Sequence, residues 1–165
     1  MIVIFLFAGA LMFAISMIFV HPGLKKTIWV TVGLILTIGS IVLLTLNYNT
    51  YLGMKQVSST TTYPLTSSIK GQKVILYQQL GTKNERIYYY QTNPLSSKLE
   101  RTNPNTSSVT IHKNTNHNQL KITRSYRIYR NEEMRLLFSA GIPNNHFIGQ
   151  HYQFDLKPGW AVKSK

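Results

Sequence analysis

Cysteine is absent from this 165-residue chain, which excludes disulfides, thiolate nucleophiles and cysteine-based metal sites. Negative charge is nearly absent as well. Glu85, Glu100, Glu132, Glu133 and Asp155 are the only carboxylates, against 18 lysines and arginines, and the formal net charge is +13. So few acids leave little material for carboxylate-based catalysis. Charged residues make up 14% of the chain, where soluble domains carry roughly 25%. The mean hydropathy of −0.07 averages two unlike pieces, an apolar first 46 residues and a polar, basic remainder.

Residues 1–20 (MIVIFLFAGALMFAISMIFV) contain no charged side chain, and at about 1.5 Å per residue such a helix spans a hydrocarbon core of about 30 Å. Residues 28–46 are again uncharged, with Thr31, Thr37, Ser40 and Thr45 as the polar groups. Helical hydroxyls can return hydrogen bonds to their own backbone, so lipid tolerates them. Both runs are expected to be transmembrane helices. A cleaved signal peptide is not expected: no Lys or Arg precedes the apolar run, and no small-residue cleavage site closes it.

The connecting turn, residues 21–27, holds Pro22 and Gly23, which stop helices, and Lys25 and Lys26. Short basic loops collect on the cytoplasmic side, so the turn is expected inside and both termini outside, a two-pass protein of the cell membrane. Small residues offer candidate helix-packing seams at Ala10 and Ala14 in the first helix and at Gly33, Thr37 and Ser40 in the second.

Residues 47–165 read as one extracytoplasmic β domain. Val57, Ser59, Thr61 and Tyr63 alternate with Ser58, Thr60 and Thr62, as in an edge strand. Residues 73–80 are apolar on both faces, like a central strand, and residues 86–90 return after the turn residues 81–84. Residues 92–106 read as a loop and 108–112 as a short strand. Leu120, Ile122, Tyr126 and Ile128 share one face of a long strand. In the last strand Ile148, Tyr152, Phe154 and Leu156 oppose a wet face of His151, Gln153 and Asp155. Between these, residues 131–141 fit one or two helical turns capped by Asn131, or a short buried strand. The expected fold is a membrane α-helical hairpin followed by a mainly-β domain, an antiparallel β-sandwich or small barrel with at most one short helix.

Sites are sparse. His112 and His117 are five apart, as are His146 and His151, and neither spacing puts both rings on one face of a strand or helix. No metal site, cofactor or nucleophile elbow is expected. Without Lys25 and Lys26, 16 cations face 5 acids, so the domain carries +11. Lys121, Arg124, Arg127 and Arg130 recur every third residue and are the candidate anion contacts. On a strand they split between two faces. With the domain outside, lipid headgroups or an anionic wall polymer suit this field, and nucleic acid does not.

Several segments carry a resemblance: Gly53-Met54-Lys55-Gln56-Val57 after two apolar helices, then Ile75-Leu76-Tyr77-Gln78-Gln79-Leu80-Gly81-Thr82 and Ile87-Tyr88-Tyr89-Tyr90. Arg127-Ile128-Tyr129-Arg130-Asn131, Leu136-Leu137-Phe138, Asn144-Asn145-His146 and Gly159-Trp160-Ala161-Val162 follow in order. The chain resembles domain-of-unknown-function family 4811, small two-helix membrane proteins of lactic-acid bacteria. That resemblance implies a Gram-positive envelope location and supplies no catalytic residues. The expected function is non-enzymatic: binding a membrane-protein partner, such as a transporter, or anionic envelope material. Two alternatives are an accessory subunit of a multidrug efflux transporter and a cell-wall hydrolase using His151 and Asp155.

Overall fold

The computed structural model describes residues 1–80, 85–93 and 98–165, and the turn expected at 81–84 lies outside the described residues, as do 94–97 of the expected loop. The chain forms two compact units.

The first unit comprises Met1–Gln56 and Arg127–His146. Its helices α1 (Ile2–Phe19) and α2 (Leu24–Thr50) pack as a hairpin. Both form where the sequence is apolar and uncharged, but α2 continues beyond that run at each end, through Lys25 and Lys26 at its start and through Asn47 to Thr50. Lys26 Nζ donates to the Met17 carbonyl at 2.8 Å, satisfying an orphan acceptor in the last turn of α1. Thr37 and Thr45 return their hydroxyls to the carbonyls of Gly33 and Ile41, so neither polar group is left unpaired on the apolar helix.

Contact between the helices follows a seven-residue repeat: Ile2, Gly9 and Ser16 are buried on α1, and Gly33, Ser40 and Asn47 on α2. A sustained seven-residue spacing keeps one stripe of each helix against the other. The backbones come very close. A Cβ added to Gly33 would lie 2.7 Å from the Phe13 nitrogen, and one added to Gly9 would lie 2.9 Å from the Thr37 nitrogen. On α1 the small residues at the seam are therefore Gly9 and Ser16. Ala10 is half-buried and Ala14 exposed, because at 3.6 residues per turn they stand about 100° and about 140° round the helix from Gly9. Gly33, Thr37 and Ser40 do lie along the α2 side, Gly33 and Ser40 buried and Thr37 half-buried.

The short helix α3 (Glu132–Leu137) resolves the helix-or-strand alternative for residues 131–141. Asn131 Oδ1 accepts from the Met134 N–H at 2.9 Å, and Glu132 and Glu133 sit at the positive end. Phe138 ends it, ahead of Gly141. A second core gathers Ile2, Met54, Tyr129, Phe138 and Ile142, with the Tyr129 and Phe138 rings stacked at 6.3 Å.

The second unit, Val57–Tyr126 and Phe147–Lys165, is built, among the described residues, on eight strands: β1 (Met54–Pro64), β2 (Val74–Gln79), β3 (Arg86–Tyr90), β4 (Glu100–Arg101), β5 (Ser107–Lys113), β6 (Gln119–Tyr129), β7 (His146–Leu156) and β8 (Ala161–Ser164). They form two four-strand sheets in the orders β1-β6-β7-β5 and β4-β3-β2-β8. Residues of both sheets meet in one core, where Ile75, Leu120, Phe154 and Leu156 are fully buried beside Tyr90 and Tyr152.

The sheets are mixed. β2 and β3 form the expected antiparallel pair, Leu76 opposite Tyr89, whereas β5 runs parallel to β7 and β2 parallel to β8. Each parallel pair is joined by a long crossover, which alternation along a single strand does not reveal. β4 falls inside the expected loop, and Thr102 prolongs its pairing, the hydroxyl accepting from the Tyr88 N–H at 3.0 Å. In β7, Ile148 is 42% exposed while Asp155, expected on the wet face, is only 4% exposed. At the end of β6 it is Tyr129, not Ile128, that is buried, because Tyr129 packs on Phe138.

Candidate functional site

The row of cations lies on β6 and the residue after it, and each side chain meets a different environment. In the second unit, Lys121 Nζ is 3.2 Å from Asp155 Oδ2. The same carboxylate accepts from Gln119 Nε2 at 2.8 Å and Gln153 Nε2 at 2.9 Å, and His112 Nδ1 lies 3.2 Å from its other oxygen. Burial pushes the Asp155 carboxyl up. Hydrogen bonds from Gln153, Gln119 and Lys121, with the lysine's charge, outweigh burial and hold it at about 2. The charge of Lys121 is thus paired with a carboxylate of the protein itself. Arg124 is exposed and has no acidic partner among the described residues.

In the first unit, the Arg127 guanidinium sits 3.8 Å over the centre of the Tyr51 ring. Arg130 Nε donates to the Met54 carbonyl at 3.3 Å, which fixes the stem of an otherwise exposed side chain. Of the four cations expected to contact anions, Arg124 and Arg130 are therefore the two most open to solvent.

The tyrosines among these cations serve packing. Tyr126 meets Phe147 edge-on at 5.6 Å, and the buried Tyr129 hydroxyl donates to the Ile142 carbonyl at 2.7 Å. Of the three consecutive tyrosines, Tyr88 and Tyr90 pack against Phe154, while Tyr89 lies under Lys165 Nζ at 4.5 Å.

Three of the histidines have separate neighbours. His151 Nδ1 is 2.7 Å from Ser108 Oγ, His112 adjoins Asp155, and the His146 ring is 6.1 Å from Tyr51. His151 and Asp155 are four residues apart on one strand, about 13 Å at strand rise, so the acid cannot orient the imidazole beside Ser108.

Two concavities differ in their chemistry. One of about 200 Å³ in the second unit is lined by Glu85, Arg86, Tyr88 and Ser107. The other, about 300 Å³ and almost wholly apolar, is a groove of the first unit bounded by Phe5, Ile35, Gly39, Leu43 and Leu137. A Cβ added to Gly39 would meet nothing within 4 Å.

These features define a class: an apolar two-helix hairpin joined to a basic domain of two mixed sheets. The chain belongs to the family described as Domain of unknown function (DUF4811), whose model matches residues 23–165 and so spans α2 and everything after it. No curated protein and no solved structure matches the chain.

Proposed function

We propose that this protein is a two-pass membrane protein whose basic β domain, residues 47–165, stands on the outer side and binds anionic envelope material without catalysis. The observation that carries this reading is the hairpin itself. Both helices are long and apolar enough to cross a membrane, and their outward faces expose Ile4, Phe7, Ile18, Phe19 and Ile35 rather than polar groups. Water penalises such a surface and lipid does not. The exposed Trp29 and Tyr48 support it: they lie 19 residues apart on α2, roughly 29 Å along the axis, the spacing of two interfacial aromatic belts. Lys25 and Lys26, at the start of α2 beside the connecting turn, favour a cytoplasmic turn and outer termini.

The +11 charge of the domain then faces the envelope, and Arg124 and Arg130 are its most available contacts on the basic strand. The test is binding of a soluble anionic wall polymer to the full-length protein in neutral-lipid nanodiscs. Affinity is expected to fall at least about tenfold between about 0.05 M and 0.5 M salt, as screening shortens the field. Arg124→Ala with Arg130→Ala is expected to weaken it further at low salt. Binding indifferent to ionic strength rejects the electrostatic reading.

A second reading, an accessory subunit of a membrane transporter, is favoured by the open groove at Gly39. Gly33 cannot serve a partner, since its place is already filled by the backbone of α1. Gly39→Leu fills the groove without an internal clash and is expected to abolish co-purification with such a transporter while leaving the melting temperature unchanged. Retained co-purification removes this reading.

A further inference from the structure

We propose that β1 is a self-pairing edge through which two copies of this chain join their β1-β6-β7-β5 sheets into one. β1 ends its sheet, so one side of its backbone has no strand neighbour among the described residues. Sheet edges of monomeric proteins are blunted by shortness, charge, proline or bulges. Three of the four edges here follow that rule: β4 is two charged residues long, β8 is four residues with Lys163, and β5 ends in His112 and Lys113. β1 does not. Residues 57–63 (VSSTTTY) carry no charge, proline or glycine in a chain of net charge +13. Lys55 and Pro64 stand only at its two ends.

The sequence is also complementary to itself about Thr60. An antiparallel pairing across a two-fold axis at Thr60 sets Val57 against Tyr63, Ser58 against Thr62, Ser59 against Thr61 and Thr60 against its own copy. The outer pair is aliphatic on aromatic, and every other pair is hydroxyl on hydroxyl. The other side of β1 already uses such pairs: Ser58 Oγ is 2.9 Å from Ser125 Oγ, and Thr60 Oγ1 is 2.8 Å from Thr123 Oγ1. Hydroxyl and aromatic–β-branched pairs are favourable cross-strand neighbours. Moving the axis five residues toward the start would instead set the two Lys55 side chains against each other. A symmetric edge contact closes on itself, so it yields a dimer and no filament.

Because the chain has no cysteine, one introduced thiol reports the register. Full-length Thr60→Cys, Ser58→Cys and Thr62→Cys are each treated in detergent micelles with a short bifunctional thiol reagent. Thr60→Cys is expected to give a covalent dimer at least five times more abundantly than either other variant. Mixing the Ser58→Cys and Thr62→Cys proteins is expected to restore crosslinking between them. Thr60→Lys sets like charges on the axis and is expected to halve the mass seen by light scattering, with an unchanged circular dichroism spectrum confirming the fold. Equal crosslinking at all three positions, or a monomeric mass for the unsubstituted protein, overturns the proposal.

Discussion

Full-length Gly33→Leu is expected to lose the helical hairpin at a temperature well below the unsubstituted protein. The missing Cβ at Gly33 would sit 2.7 Å from the Phe13 nitrogen, 2.9 Å from the Gly9 carbonyl oxygen and 3.0 Å from the Phe13 Cα. All three atoms are backbone, so no rotamer change relieves the contact and the helices must separate along their length. Overpacking of this kind costs roughly 1–3 kcal/mol where side chains can shift, and more where they cannot. For a hairpin in lipid, as proposed above, no hydrophobic drive restores the seam, because packing contacts are what hold it. Thermal unfolding in detergent, followed by circular dichroism, should show a fall of roughly 6–12 °C for about 3 kcal/mol in a chain of this size. Gly39→Leu, six residues on and facing open space, is the matched control and should melt with the parent. Equal melting of all three proteins would mean that the two backbones do not approach at Gly33.

How much of this was legible beforehand depends on the range over which each feature is written. The two apolar helices and the β2–β3 pair are encoded in neighbouring residues and are read directly from composition and spacing, whereas the Asn131 segment fits a capped helix or a short strand until its tertiary setting is known. The spacing of Ile2, Gly9 and Ser16 is also in the sequence, but a search for small residues four apart selects Ala10 and Ala14 instead. β4 and β8 are two and four residues long, too short for any period to register. Their pairing comes from β3 and β2, which lie elsewhere in the chain. Asp155 shows the same limit at the candidate site. Its period-two position points to the wet face, and it is buried because His112, Gln119 and Lys121 arrive from β5 and β6 to meet it. The types and spacing of the four cations were plain. That Lys121 is spent on Asp155 and Arg127 on Tyr51, leaving Arg124 and Arg130 open, is a tertiary fact.

Asn47 presents the same lesson with the largest expected cost. It is the last member of the α2 stripe, 0% exposed, and its carboxamide is used at both ends. Nδ2 donates to the Leu52 carbonyl at 2.8 Å, just past the left-handed Tyr51 that closes the helix, and Oδ1 accepts from the Ile142 N–H at 3.2 Å. One side chain thus pins the end of α2 to the segment after α3, both within the first unit. Asn47→Ala leaves the buried Ile142 N–H unpaired, at about 1–3 kcal/mol, and the part-buried Leu52 carbonyl unpaired at less, so a loss of roughly 2–4 kcal/mol is expected. Gly141 is fitted to the same group, since a Cβ there would lie 2.3 Å from Asn47 Oδ1 and 3.1 Å from the Phe138 carbonyl oxygen. Gly141→Ala should therefore expel the carboxamide and cost a similar amount. In the double variant the carboxamide that alanine would strike is already gone, so the two losses should fall short of additive by more than about 1 kcal/mol, the mark of residues in contact. Denaturant unfolding of the four proteins in one detergent measures this coupling. Additive losses would show that Asn47 and Gly141 act separately, and that something other than this hydrogen-bonded pin holds the end of α2 to residues 141 and 142.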